Sequence, residues 1–282
     1  MIERVEITDL IRSFSASGAP VPVNVDTVTR RLRASGQHRA AAIVEGMPSR
    51  DGLLAQHELD RLLLRVHCEL MRLAEELQLG RRVLEVLAPW VSQMHSSGPE
   101  PVRVVDVGCG VGYVTRWLAN NSPWEGMVHF YGVDLDPTLV EFATQQATRE
   151  GSQARFVCAD AFEPGRIVED PPRTIVISTG LLHHMRGVAL RGFFEAQAQL
   201  QVGAFAHWDP QPGALTTLGA WMFHRSRMRE AVSRHDGVLS ARRAHSATVL
   251  LESVEGLGYD VACRDRVSIT QALRPITGRR SP

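Results

Sequence analysis

The sequence predicts an α/β protein: a doubly wound sheet, mostly parallel with an antiparallel edge strand, preceded by a helical accessory domain. Three observations predict it. From Pro101 onward, short apolar runs rich in Val and Ile alternate with helical stretches, the βαβ pattern of a parallel sheet. The run 104–119 reads as a buried strand, a glycine turn and the first turns of a helix. Before residue 98 helical periodicity dominates, and strand character is confined to a proline-broken stretch at 19–25.

The first helix is expected from Asp26 to Glu45, with Asn24 or Asp26 as its cap. Leu53, Leu54, His57, Leu62, Leu63, Val66, Leu70, Leu73 and Leu77 then recur near helical period. Glu58, Arg65, Glu69, Arg72 and Glu76 stand between them. This is the pattern of a long amphipathic helix, here capped by Asp51. A shorter helix from Arg81 to about Met94 follows Gly80, and Ser96-Ser97-Gly98-Pro99-Glu100-Pro101 cannot continue it. The predicted organisation is a helical lid or accessory domain over 1–98 and a sheet domain over 99–282. Strands are expected near 102–107, 128–133, 154–158, 174–178, 202–207 and 259–264. A helical insertion near 213–239 carries Trp221, Met222, Phe223, Met228 and Val232. A last strand near 272–276 would pair antiparallel at the sheet edge, where Pro275 is tolerated.

Composition narrows the function classes. The chain has 282 residues, with 31 basic against 31 acidic. This balance provides no field for nucleic acid or an anionic membrane, so neither is expected as a partner. Every cation is arginine, because the chain contains no lysine, and Schiff-base chemistry is thereby excluded. Cys68, Cys109, Cys158 and Cys263 show no C-x-x-C spacing, so neither a disulfide framework nor a zinc site is indicated and a reducing cytoplasm fits. No apolar run reaches the ~20 residues of a membrane helix, and no leader pattern opens the chain, so a soluble, cytoplasmic protein is expected. The eleven histidines form no H-x-x-x-H pair, and no metal is expected. An exposed apolar face on the N-terminal helices would suit a homodimer.

The glycines of the turn are spaced Gly108-x-Gly110-x-Gly112, whereas a dinucleotide fingerprint needs its third glycine at Tyr113, so NAD is disfavoured. The second strand ends at Asp134, 28 positions after Asp106, where a carboxylate can accept hydrogen bonds from both hydroxyls of a ribose. Asp136-Pro137 reads as a helix cap followed by its first residue. An acidic residue, a G-x-G-x-G turn and a helix resemble the first motif of the class I S-adenosylmethionine-dependent methyltransferases. Further segments in the same order extend that resemblance over roughly 102–184. The resemblance implies S-adenosylmethionine as cofactor and S-adenosylhomocysteine as product. It places Asp106, Gly108, Cys109, Gly110, Gly112, Asp134 and Leu135 at the cofactor. It implies that Asp160 meets the adenine amine beside Ala161 and Phe162, and that Ser178, Thr179 and Gly180 approach the sulfonium.

On the acceptor side, Thr179-Gly180-Leu181-Leu182-His183-His184-Met185 stands where some methyltransferases carry an Asn or Asp followed by Pro-Pro and an aromatic, a loop suited to exocyclic amines of bases or to glutamine side chains. The Leu-His-His segment resembles the small-molecule branch, in which a histidine faces the acceptor. Histidine can take a proton near neutral pH, and His183 and His184 are equivalent candidates. At the end of the fifth strand His207 and Asp209 fall on one side and Trp208 on the other. That pair either orients the acceptor or forms a turn in which Asp209 bonds backbone amides. Trp208, Trp221 and His224 join His184 as candidate acceptor contacts. The expected activity is methyl transfer to an oxygen, nitrogen or carbon of a small, apolar or aromatic acceptor. A protein or RNA methyltransferase is the alternative within the fold, and a non-catalytic cofactor-binding sensor or partner subunit the alternative outside enzymes.

Overall fold

A computed structural model describes residues 4–15, 18–163, 168, 170–263 and 273–280. It divides into two compact units, one drawn from residues up to Leu70 together with Pro212–Arg243, the other from Met71–Gln211 together with residues from Ala244 onward. The expected boundary at residue 98 therefore shifts to residue 70, and the insertion joins the N-terminal unit instead of the sheet domain.

The first unit begins with α1 (Thr8–Ile11), and α2 (Val25–Ala34) and α3 (His38–Glu45) replace the single helix expected over 26–45. The break falls at Gly36, whose φ of 73° no helix accommodates. Asn24 caps α2 as predicted, accepting a hydrogen bond from the Thr27 amide. Asp51 is not a helix cap. With Gly52 it forms the tight turn between β1 (Ser49–Arg50) and β2 (Leu53–Leu54), both residues at positive φ, as an Asp-Gly hairpin requires. The long helix α4 (Gln56–Glu76) begins only after it. Ile7, Ile11, Val28, Leu32, Val44, Leu59, Leu63 and Val66 form the core of this unit together with Val232 of the insertion.

The second unit opens with α5 (Leu79–Ser96), where Gly80 lets the Trp117 ring lie against the helix backbone. Along the chain follow β3 (Val102–Val107), α6 (Tyr113–Asn121), β4 (Val128–Asp134), α7 (Pro137–Glu150), β5 (Arg155–Cys158), β6 (Thr174–Thr179), α8 (Val188–Gln199) and β7 (Ala204–Pro210). The insertion forms α9 (Ala214–Arg227) and α10 (Ala231–Arg243). After it come α11 (Ala247–Val254), β8 (Tyr259–Cys263) and β9 (Leu273–Arg280). Positions 264 and 272, expected within the last two strands, lie outside the described residues.

The seven strands are ordered β5-β4-β3-β6-β7-β9-β8, parallel from β5 to β7. The antiparallel strand is β9, and it is not at the edge. It pairs with β7 on one side and with β8 on the other, so β8 is the edge. Alternation along the strands sorts their side chains to two faces. Val102, Val104, Ile175, Ile177, Ala204, Ala206 and Trp208 pack against α5 and α6. Val105, Val107, Val176, Phe205 and Ile276 pack against α8 and α11. Helices cover both faces, and the carboxyl ends of the parallel strands are the place where such sheets bind ligands.

Candidate functional site

The glycine turn between β3 and α6 bends where the sequence places it. Gly108, Gly110 and Gly112 take φ of 68°, 55° and 71°, a region that side chains rarely enter. At Gly112 a Cβ would stand 2.5 Å from Phe156 Cζ and 3.0 Å from the Ala143 methyl, and at Gly108 it would stand 3.1 Å from Leu181 Cδ1. Neither position has room for a side chain. Asp134, at the end of β4, is held beside the turn: its Oδ2 accepts from the Gly110 amide at 2.8 Å and its Oδ1 from the Asp136 amide at 3.0 Å. A carboxylate oxygen can accept more than one hydrogen bond, so this group suits a ligand hydroxyl. Asp136 caps α7 through the Thr138 amide, the structural role expected of it.

Asp106 lies behind the turn, almost fully buried. Its Oδ2 accepts from the Thr115 hydroxyl at 2.8 Å, while no donor among the described residues reaches its buried Oδ1. Burial, opposed by the Thr115 bond and assisted by the Asp134 charge, pushes this carboxyl up to about 7. Cys109 is pushed well above its ordinary value, chiefly by burial, which keeps it a thiol rather than a thiolate. At the end of β5, Asp160 is exposed and accepts from the Phe162 amide at 2.9 Å, and the Phe162 ring meets Phe193 edge-on at 5.9 Å. Leu135 is exposed next to Asp134. Thr179 and Gly180, half-buried, end β6, where the Gly180 amide donates to the Trp208 carbonyl at 2.7 Å. These loops stand at the carboxyl ends of neighbouring parallel strands.

Three expected residues turn away from this end. Ser178 is wholly buried and its hydroxyl is bonded at 2.9 Å to Nδ1 of His207. His207 is itself enclosed by Phe193, Phe194 and Phe205 and donates from Nε2 to Gln197 Oε1 at 3.2 Å. Burial lowers its ring to about 3, so it stays neutral and is part of the packing rather than a base. Trp208 points to the opposite face and is fully buried against α5 and α6, which removes it as an acceptor contact. In the first unit His224 is buried against Gly237 of α10, which a Cβ would clash with, and burial lowers its ring; it is a packing residue. Trp221 is 52% exposed on α9.

The structure separates the two adjacent histidines, which the sequence leaves equivalent. Both lie in a 3-10 turn, Leu182–His184. His183 is buried and its Nδ1 donates to Asp209 Oδ1 at 2.9 Å, whereas the half-buried His184 ring lies against it at 4.3 Å. The partner of Asp209 is therefore His183, not His207 and not a backbone amide. His245, which the sequence reading does not single out, holds this turn: its Nε2 donates to the Leu182 and Met185 carbonyls at 3.1 and 2.9 Å. It stands 60 positions after Met185, and no local pattern announces the contact. A cavity of about 310 Å³ in the same unit is lined by Tyr113, Arg116, Trp117 and Phe142 among others, and by none of the loop residues above. The site is therefore defined by the strand ends.

Comparison with known proteins bears on the fold and on the segment that carries these loops. Residues 104–202 match a methyltransferase domain family, and the mostly parallel seven-stranded sheet is of the Rossmann-like type. Among curated proteins, the chain is 36% identical over 83 residues to the ribosomal RNA small subunit methyltransferase C of Alcanivorax borkumensis. That match covers 28% of this chain and 24% of the relative. It is 32% identical over 123 residues to the ribosomal protein L11 methyltransferase of Dechloromonas aromatica, with 39% of each covered. The chain thus spans well under half the length of either relative. Among solved structures, magnesium protoporphyrin IX methyltransferase from Synechocystis superposes with a TM-score of 0.51 at 17% identity, over 91% of this chain and 99% of that one. This likeness shows the fold. No helix among the described residues is long and apolar enough to cross a membrane.

Proposed function

We propose that this chain is an S-adenosylmethionine-dependent methyltransferase that acts on a small-molecule acceptor. The observation that carries the reading is the convergence of the glycine turn, Asp134, Asp160 and the His183–Asp209 pair on one end of the sheet in a methyltransferase domain. When bound, the cofactor supplies a methyl group already activated on a sulfonium, so the protein has to align an acceptor and exclude water. Asp134 holds the ribose hydroxyls. The amides of the glycine turn and the N-terminal end of α6 suit a carboxylate. Asp160 and Phe162 border the adenine, and the Thr179–Gly180 backbone borders the sulfonium without placing a charge there.

Transfer to a neutral oxygen or nitrogen releases a proton. His183 receives it, and the Asp209 carboxylate bonded to Nδ1 orients the ring and stabilises the imidazolium. A small acceptor is supported by the balanced charge and by Thr179-Gly180-Leu181-Leu182 in place of an Asn- or Asp-Pro-Pro loop. The names of the two curated relatives favour a second reading, a ribosomal RNA or protein acceptor.

Calorimetric titration with S-adenosylmethionine, S-adenosylhomocysteine and NAD tests the cofactor. Binding of the two sulfur compounds alone is expected. Asp134→Ala should weaken S-adenosylhomocysteine binding by ~1–3 kcal/mol through unsatisfied ribose hydroxyls. Unchanged affinity would remove Asp134 from the site. Methyl incorporation into ribosomal RNA or protein, with none into a small-molecule panel, would establish the second reading.

A further inference from the structure

Two buried polar atoms at the end of β7 have no hydrogen-bond partner among the described residues: Oδ2 of Asp209 and Nε2 of Gln211. Both residues are more than nine-tenths buried, at 3% and 7% exposure. One is an acceptor and the other a donor, and they stand two positions apart in the chain. The other oxygen of the same carboxylate already accepts from His183. Buried polar atoms are almost always paired in folded proteins, because leaving one unmade forfeits its hydration without return. Two complementary orphans, two positions apart in the chain, one of them on the carboxylate that holds His183, have the form of half a hydrogen-bonding set whose other half arrives with a ligand.

We propose that Asp209 and Gln211 form an acceptor-reading pair that takes an uncharged hydroxyl group, an alcohol or a phenol. A hydroxyl can satisfy both atoms at once, since its O–H donates to Asp209 Oδ2 while its oxygen accepts from Gln211 Nε2. A carboxylate would meet the Asp209 charge, and an ammonium would leave the Gln211 donor unpaired. The inference rests on the methyltransferase reading for its consequence, that the methyl group goes to oxygen. The pairing itself is independent of it. Gln211 is a binding residue that no sequence motif marks, because its role depends on burial beside Asp209 and not on any local pattern.

The test uses the full chain, with and without saturating S-adenosylhomocysteine, titrated with phenol and separately with its methyl ether, anisole, which accepts a hydrogen bond but cannot donate one. The readouts are the side-chain amide signals of Gln211 in nitrogen-15 NMR spectra, assigned by their loss in Gln211→Met, and the melting temperature. Phenol should move those signals and bind at least about tenfold more tightly than anisole, the scale of one buried hydrogen bond. Gln211→Met should lose that preference and keep S-adenosylhomocysteine affinity within about twofold. It should melt above the parent chain in the absence of phenol, since it removes an unpaired buried donor. Equal binding of phenol and anisole, or no movement of the Gln211 signals, would overturn the pair. A Gln211→Met chain that melts lower would mean that ordered water alone satisfies these atoms, and would also overturn it. Failure of S-adenosylhomocysteine to bind, with the phenol response intact, would instead refute the methyltransferase reading and leave the pair standing.

Discussion

Replacing Gly112 by alanine isolates what the glycine turn requires. Two costs add at this position. The backbone sits at φ 71°, where an L side chain costs ~1–2 kcal/mol. The new methyl would also stand 2.5 Å from Phe156 Cζ and 3.0 Å from the Ala143 methyl, an overpacking worth ~1–3 kcal/mol. Gly112→Ala should therefore lose ~2–5 kcal/mol. Gly151, which ends α7 at φ 65° with nothing within 4 Å of its would-be Cβ, carries only the first cost. The difference between the two variants in urea unfolding reports the steric part. Combining Gly112→Ala with Phe156→Leu should recover some of it, because the ring is the obstacle. Calorimetry on the same proteins should show that Gly112→Ala weakens S-adenosylhomocysteine binding while Gly151→Ala does not. Equal losses of stability in the two glycine variants would refute the packing described for the turn.

Two further predictions concern buried titratable groups. Asp106 is raised from 3.8 to about 7, so its proton is held more tightly in the folded chain; the stability this contributes is complete below about pH 4 and is lost as the pH rises through 7. Asp106→Asn keeps an acceptor for Thr115 without the titration. Its stability relative to the parent chain should therefore grow by ~3 kcal/mol between pH 5 and 8 in urea unfolding; a constant difference would show that Asp106 is ionised throughout. His207→Ala should cost ~3 kcal/mol by stranding Ser178 and Gln197 in the interior. Its S-adenosylhomocysteine affinity should be unchanged, and a stable protein with impaired binding would return His207 to the site.

The strand positions, the glycine turn and the acidic residues at the ends of β4 and β5 were legible in the sequence, because each depends on something local. Apolar alternation identifies a buried strand, glycine spacing identifies a backbone that must enter positive φ, and Asp-Pro marks a helix start. Local rules can also be outvoted nearby. Asp51 resembles a helix cap until Gly52 beside it is recognised as the second half of a hairpin turn. Glu69 falls on the polar stripe of α4, yet it is buried, because its carboxylate accepts from the Arg229 and Glu230 amides at the start of α10.

What only the tertiary structure decided is which side chains share a partner. Strand periodicity places His207 and Asp209 on one face but cannot tell that the first is enclosed by phenylalanines and the second meets His183. It cannot tell that His245 ties down the histidine turn, or that Nε2 of Gln211 is buried with no partner among the described residues. The insertion of β9 between β7 and β8 is equally invisible to a pattern read along one strand. Element identity follows from φ/ψ preference and periodicity within a few residues of chain. The environment that ties one histidine to a carboxylate and encloses another among phenylalanines is assembled from segments tens of residues apart, and burial and hydrogen-bond partners exist only once those segments meet.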